Sequence, residues 1–289
     1  MRPGRGQVGS KTIKWIQSIL VTIYVLELVG ATAVTSLGWA ACRMLHIDWT
    51  PSGPLWFAGY LFVYNLDRLC SDPADPVNVP VRSSKGAELR WARIALVLLS
   101  SVMLVIWPLL TGRWWLVVIL AVAAALLQFY TRAIPGVGYR IKDLPYLKSL
   151  LVPGVIAGVL VVWPCLEIGR SFRLKECLVL FWCLLVLTIN SLVFDYRDVA
   201  GDAAAGTGTI PVRLGRRNTI YLLLVLVAAL AGVSSCLASA GLTSPSTPAV
   251  LTSGSAGLLL ALVSQLRPMT ISVLADLFLM IPAVVQFFA

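Results

Sequence analysis

Residues 177–202 read CLVLFWCLLVLTINSLVFDYRDVAGD, an apolar run that ends in a cluster of charged side chains. The apolar part, 177–195, is close to the roughly 20 residues that one membrane-spanning helix needs. The whole chain has the same character, since 58% of its residues are hydrophobic and 12% are charged, against roughly 25% charged in a typical soluble domain. This composition excludes an ordinary soluble protein and predicts a polytopic membrane protein.

Working outward from that run, nine apolar segments are separated by charged residues or by Gly and Pro. They cover residues 13–41, 52–66, 94–111, 114–131, 147–166, 177–195, 219–240, 248–266 and 269–289. We therefore expect an all-α fold with nine transmembrane helices, forming one domain over residues 1–289.

The basic residues indicate how these helices are oriented. A cytosolic N-terminus, with residues 1–14 as a basic cytosolic segment, leaves only five of the 23 Lys and Arg outside: Arg43, Arg113, Arg170, Arg173 and Lys175. This asymmetry predicts a cytosolic N-terminus and an outer C-terminus. The net charge of +10 then reflects orientation, and no nucleic-acid partner is expected.

The six cysteines do not indicate a metal or redox site. They lie at scattered positions without a C-x-x-C pair, which argues against both zinc and thiol redox chemistry. Cys165 and Cys177 flank one predicted outer loop, so a disulfide between them stays open.

Acidic residues are concentrated in two segments at predicted cytosolic helix ends. In the second, Asp195, Asp198 and Asp202 are spaced i, i+3 and i+7, which places three carboxylates on one face of a continuing helix. Like charges so placed repel unless a cation bridges them. Such oxygen ligands suit Mg²⁺, which combines one or two carboxylates with water and phosphate oxygens. The alternative is a solvated helix end beside Arg197 that needs no ligand.

The first segment contains Asp67, Asp72 and Asp75. Asn65, Asp72 and Asp75 share a face if the helix continues, but Pro73 and Pro76 make a straight helix improbable, so we expect Asp75 to enter from the loop. Asp72 and Asp75 each precede a proline, and a turn-capping role is the alternative.

The second segment resembles a motif of the UbiA superfamily of intramembrane prenyltransferases. FDYRDVAGD at 194–202, followed by Gly206, residues 209–212 (TIPV) and Leu214-Gly215, is similar to the family's second aspartate motif. The family's D-x-x-x-D pair falls on Asp198 and Asp202.

Two other stretches are similar to the same family. The first motif, N-D-x-x-D-x-x-x-D followed by N-x-P-x-R, begins at Asn65 and ends with NVPVR at 78–82, with two extra residues between these anchors. Residues 130–150 resemble the family's basic loop between helices four and five, with Ser149 where asparagine is common.

The resemblance implies a nine-helix bundle around a central cavity, in a cell or organelle inner membrane, with the site on the cytosolic side. It implies Mg²⁺ held by Asp67, Asp72, Asp75, Asp195, Asp198 and Asp202. Diphosphate binding is expected from Asn65, Arg68, Arg82, Arg140, Lys142, Lys148 and Arg197. Asp72, Asp198, Lys142 and Tyr130 are the expected catalytic residues, with Tyr130 or Phe194 facing an allylic carbocation.

The implied reaction is Mg²⁺-dependent transfer of an isoprenyl group from its diphosphate to a hydrophobic or aromatic acceptor within the lipid bilayer, with no protein partner. A terpene cyclase on the same scaffold is an alternative, because the first motif is irregular. A transporter with paired acidic ion sites is another.

Glu27 and Asp276 lie inside predicted spans. Ionisable groups are costly there and usually face a cavity or a partner. We expect them either to line the chamber or to form a polar contact between helices.

Overall fold

The computed structural model describes residues 15, 17–48, 53–69, 75–118, 144 and 146–288, without the side chains of residues 75 and 76. All regular structure within these ranges is α-helical. The helices are α1 Gln17–Val25, α2 Leu28–Met44, α3 Gly53–Leu69, α4 Asp75–Asn78, α5 Pro80–Glu88, α6 Arg90–Leu110, α7 Leu147–Glu167, α8 Leu174–Arg197, α9 Val199–Ala204, α10 Ile210–Ser239, α11 Thr247–Val263 and α12 Pro268–Phe287.

Five of these helices, α6, α7, α8, α10 and α12, are long and apolar enough to cross a membrane, and α1 with α2 forms a sixth if the bent pair is one span. The all-α fold and the membrane location are therefore confirmed. The count of nine spans is not confirmed. Helix α11 has 17 residues, about 25 Å at 1.5 Å per residue, which is short of a hydrocarbon core of about 30 Å. The described part of α3 also has 17 residues. Most of the predicted segment 114–131 lies outside the described residues.

The first predicted span, 13–41, is not one straight helix. Helices α1 and α2 meet at an angle of 64°, and Glu27 has a φ of 63°. The side-chain amide of Asn65 on α3 donates to the Leu26 carbonyl at 3.2 Å, and Arg93 Nη2 donates to the Val25 carbonyl at 3.2 Å. These two side chains donate hydrogen bonds to carbonyls that the break leaves without a partner in the helix. Lipid has no donors that could do so.

Helix α8, the stretch with which the sequence analysis began, lies at the centre of the bundle. It packs against α7, α10 and α12, and Trp182, Cys183 and Val186 are fully buried. Trp182 Nε1 donates to Ser234 Oγ on α10 at 2.9 Å. Asn190 Nδ2 donates to the Ala275 carbonyl on α12 at 2.7 Å. These two bonds fix the neighbours of the helix that carries the acidic cluster.

Two further expectations from the sequence concern a disulfide and a central cavity. Cys165 and Cys177 are both free thiols, one buried and one exposed, so the disulfide left open is not formed.

An opening of about 430 Å³ lies between α2, α3 and α12, lined by Thr32, Thr35, Ser36, Trp39, Phe57 and Ala283. Its lining includes no acidic residue, and a central cavity beside the acidic clusters stays a prediction.

Candidate functional site

The acidic cluster lies where α8 gives way to α9. Helix α8 ends at Arg197, and Asp198 is its C-cap with a φ of −91° and a ψ of 4°. The Asp198 N–H still donates to the Phe194 carbonyl at 3.0 Å, and the Asp202 N–H donates to the Asp198 carbonyl at 2.9 Å. The sequence predicted one uninterrupted helix through all three aspartates, but the helix is interrupted at Asp198. The backbone hydrogen bonds from residue i to residue i−4 nevertheless continue across the interruption. Because of this break, the three carboxylates do not share one environment.

Asp195 and Asp202 face the same cation. Both are buried, at 3% and 2% exposure. Lys148 Nζ lies 3.0 Å from both carboxylate oxygens of Asp202 and 3.8 Å from Asp195 Oδ1. Since Lys148 lies in the first turn of α7, the contact joins the start of that helix to the end of α8 and to α9.

Ser149 completes this contact. Its hydroxyl donates to Asp195 Oδ2 and accepts the Ile210 backbone N–H at 3.3 Å. Ser149 is fully buried. In the sequence it was only a departure from a family asparagine, whereas in the structure its hydroxyl connects Asp195 to the start of α10.

Asp198 is held separately. Arg197 Nε and Nη2 bind its two carboxylate oxygens at 2.7 and 2.5 Å, a two-bond geometry that orients the carboxylate. Arg197 Nη1 also donates to Ser272 Oγ on α12, and the guanidinium lies 4.9 Å from the centre of the Phe194 ring. Among the described residues, no group of three or more His, Cys, Asp or Glu side chains is arranged to hold a metal ion.

The two sequence motifs touch each other. Asn78, at the end of α4, accepts the Gly201 backbone N–H on its Oδ1 at 2.9 Å, and α4 packs on α9. A side chain at Gly201 would place its Cβ within 3.0 Å of the Asn78 amide. Only glycine fits this close approach, and it brings the end of the first motif against the second.

Asn65 is fully buried on α3. Its amide nitrogen donates to the Leu26 and Leu61 carbonyls, while its Oδ1 has no hydrogen-bond partner among the described residues. Asp67, on the same helix, is partly exposed. Asp72 lies outside the described residues, and Asp75 starts α4 with its side chain undescribed.

Of the other basic residues expected to bind diphosphate, the structure describes Arg82 and Arg68. Arg82 is buried at 6% exposure. Its Nη2 donates to the Tyr24 hydroxyl, its guanidinium lies 4.9 Å from the Tyr24 ring centre, and its Nε has no hydrogen-bond partner in the described ranges. Arg68 Nε lies 3.5 Å from Glu27 Oε1. Tyr130, Arg140 and Lys142 lie outside the described residues.

Sequence reasoning missed Tyr24 and Ser272. Both contact arginines of the expected site, but each lies in a largely apolar helix and belongs to no motif. Only the packing of α1 and α12 against the site elements identifies them.

The chemistry of the donors fits a divalent cation. Two buried carboxylates, those of Asp195 and Asp202, converge on one positive charge. Separately, on α3, the buried Oδ1 of Asn65 has no hydrogen-bond partner among the described residues. Hard oxygen donors of this kind are those that Mg²⁺ prefers.

The fold and this site define an integral membrane protein with a charged, hydrogen-bonded centre at one end of its helices. The UbiA prenyltransferase family matches the chain over residues 80–280, more than half of its length. The chain is a member of this family, and the resemblance to it that the sequence indicated is confirmed.

One curated relative is similar over a shorter stretch. The digeranylgeranylglyceryl phosphate synthase of Thermococcus gammatolerans is 32% identical over 104 residues, which make up 35% of this chain and 34% of that protein. The match thus spans about a third of the relative's length. No solved structure gives a significant match.

Proposed function

We propose that the protein is a Mg²⁺-dependent intramembrane prenyltransferase. It moves an isoprenyl group from an isoprenyl diphosphate to a hydrophobic or aromatic acceptor and releases diphosphate. The observation that carries the proposal is the convergence of Lys148 with the buried carboxylates of Asp195 and Asp202 at the meeting point of α7, α8 and α9, inside the matched region 80–280. The similar synthase, by its name, also has an isoprenoid product.

The proposed metal site has two halves. Asp195, Asp198 and Asp202 form one half, and Asp67, Asp72 and Asp75 form the other. When bound, Mg²⁺ neutralises the diphosphate charge and stabilises the oxygen from which the isoprenyl group departs. The contact between Asn78 and Gly201 supports a joint site, because it brings the ends of both motifs together.

The basic side chains in the proposed site stabilise the leaving group. Lys148 and Arg82 donate hydrogen bonds to diphosphate oxygens, with Arg68, Arg140 and Lys142 adding positive charge. Charge that develops on an oxygen is stabilised most by donors already fixed in place. The buried ion pair of Lys148 with Asp202 and the contact of Arg82 with Tyr24 fix two such donors.

Arg197 has a different role in this proposal. It binds Asp198 through two hydrogen bonds and is anchored on Ser272, so it orients that carboxylate instead of contacting the diphosphate. It also lies over the Phe194 ring. Tyr130 is therefore the aromatic residue proposed to face the carbocation, in a chamber from which the surrounding apolar helices exclude water.

The test uses the purified protein in lipid nanodiscs with radiolabelled geranylgeranyl diphosphate, Mg²⁺ and a panel of aromatic and hydroxyl-bearing acceptors. We expect diphosphate release that EDTA abolishes, together with transfer of the label to an acceptor. A labelled cyclic hydrocarbon formed rapidly without acceptor contradicts the transferase and favours the cyclase. Ion flux across proteoliposomes without any diphosphate release contradicts both and favours a transporter.

A further inference from the structure

Among the buried acidic residues outside the two aspartate motifs, one lies close to the proposed site in sequence terms, on the same helix as Ser272. Asp276, on α12, is 6% exposed. No hydrogen bond or ion pair joins its carboxylate to any of the described residues. A buried carboxylate without a partner is costly, and in a membrane segment such a group usually serves function.

Asp276 is not explained as a contact between helices. Where α12 meets α8 at this level, the hydrogen bond runs from Asn190 Nδ2 to the backbone carbonyl of Ala275, at 2.7 Å. The neighbouring side chain of Asp276 takes no part in it. The polar-contact alternative from the sequence therefore does not account for this carboxylate.

The position of Asp276 relates it to the proposed diphosphate site. Ser272 lies one turn earlier on α12 and accepts a hydrogen bond from Arg197, which clamps Asp198. Residues i and i+4 share a helix face and are separated by about 6 Å along the axis. Asp276 thus lies one turn farther along α12 than the contact that orients Asp198.

The cations around Asp276 are already engaged. Arg82 and Arg197 lie within electrostatic range of it, as does the carboxylate of Glu27. Arg197 binds Asp198, Arg82 contacts Tyr24, and Glu27 lies beside Arg68. Within the described ranges, neither arginine makes an ion pair with Asp276.

Two aromatic rings border the same region. Tyr60 and Tyr64 are stacked with ring centres 4.1 Å apart, and both lie within electrostatic range of Glu27 and Asp276. Their helix, α3, packs on α2, which in turn packs on α12. Aromatic faces beside a proton-accepting group suit an acceptor that carries a hydroxyl on a flat or apolar body.

We propose that Asp276 is the base that removes the proton of the acceptor, in a subsite bordered by Tyr60 and Tyr64. This inference rests on the proposed prenyl transfer. The bond between the isoprenyl carbon and the diphosphate oxygen breaks, and its electron pair leaves with the diphosphate. The acceptor atom forms the new bond to that carbon, and its proton passes to the Asp276 carboxylate. The ligand class is an acceptor with a hydroxyl or an acidic aromatic hydrogen.

The test separates ionisation of the donor from transfer. The donor carries ¹⁸O in the oxygen that joins the isoprenyl carbon to the diphosphate, and it is incubated with the protein in nanodiscs. Movement of the label to a non-bridging phosphate oxygen shows that this bond has broken and formed again without transfer to an acceptor. We expect Asp276→Asn to keep this exchange within about twofold of the wild type. Transfer to the acceptor should fall roughly 10²-fold, the usual scale for loss of a general base.

The matched control is Asp48→Asn, which makes the same change at an exposed position outside the bundle. It should leave both readouts unchanged, and Asp276→Glu should recover part of the transfer. Unchanged transfer in Asp276→Asn overturns the proposal, as does a parallel loss of isotope exchange and transfer, which indicates a structural role. If the wild-type protein shows neither exchange nor diphosphate release, the proposed function itself fails.

Discussion

At Lys148 one ammonium group faces two buried carboxylates, and this arrangement determines how the site responds to single substitutions. Asp202 makes two 3.0 Å contacts with the ammonium, whereas Asp195 makes one at 3.8 Å and is also held by Ser149. Coulomb energy depends on distance and on the local dielectric. Asp202 is therefore the carboxylate in closest contact with the Lys148 ammonium.

For Asp202→Asn we expect diphosphate release to fall roughly 10²-fold, the scale on which preorganised electrostatic groups contribute. The amide keeps the shape of the side chain but removes a negative charge from the proposed Mg²⁺ site. Steady-state assay in nanodiscs measures this loss. Glu88→Gln, at an exposed carboxylate paired with Lys85, is the matched control and should keep wild-type rates. Equal rates in both variants contradict the site assignment.

Gly201 is the position where space is most restricted. For Gly201→Ala we expect a loss of about 1–3 kcal/mol in stability, because the new Cβ must displace Asn78 and break its 2.9 Å hydrogen bond. Thermal melting in detergent measures the effect.

Gly232→Ala, on α10, is the control for that variant, since nothing lies within 4 Å of its added Cβ. It should keep or slightly raise the melting temperature, because alanine favours a helix more than glycine does. If Gly201→Ala melts like Gly232→Ala, the close packing of the two motifs is wrong.

At the scale of helices, the break between α1 and α2 depends on a donor from another element. Asn65 binds the Leu26 carbonyl across 39 positions of sequence, and in an apolar environment an unpaired carbonyl is costly. Asn65 was expected to bind the diphosphate. The structure gives it a structural contact, while its Oδ1 has no hydrogen-bond partner among the described residues.

For Asn65→Leu we expect a loss of about 1–3 kcal/mol, the scale for leaving a buried polar group unsatisfied. Asn218→Leu is the matched control, because Asn218 is exposed and the hydrogen bond of its amide runs to the Leu214 carbonyl in its own helix, at 3.0 Å. Parallel melting curves of the two variants measure the difference. A control that melts as low as Asn65→Leu contradicts the role of Asn65 at the break.

For the whole molecule, the predicted orientation leads to a labelling experiment. Ser171 is exposed in the loop between α7 and α8, and Glu88 is exposed at the end of α5. The first lies at the end of α8 opposite the acidic cluster, and the second follows the segment that packs on α9.

Ser171→Cys should react with a membrane-impermeant maleimide on intact cells, and Glu88→Cys only after permeabilisation, as the N-in orientation requires. The background replaces Cys70, Cys177 and Cys236 by serine, so that the introduced thiol dominates the signal. Mass spectrometry of the labelled protein gives the readout. The reverse pattern contradicts the cytosolic placement of the site.

The sequence alone determined what the physics of lipid dictates. A chain this apolar must satisfy its backbone inside helices, so the all-α membrane fold follows from composition. The spacing of Asp195, Asp198 and Asp202, with the residues after them, was enough to identify the family, because few motifs place three carboxylates at a membrane edge.

Only the tertiary structure decided how those carboxylates divide. Asp195 and Asp202 meet Lys148 of α7, whereas Asp198 turns to Arg197 and α12. The contact of Asn78 with Gly201 spans 123 positions, and that of Arg82 with Tyr24 spans 58. The spacing of residues along one helix shows which of them share a face. It does not show which distant helix packs against that face. Partners of buried charges are chosen by that packing, and so the contacts of Lys148 and Ser149 with the aspartates emerged only from the fold.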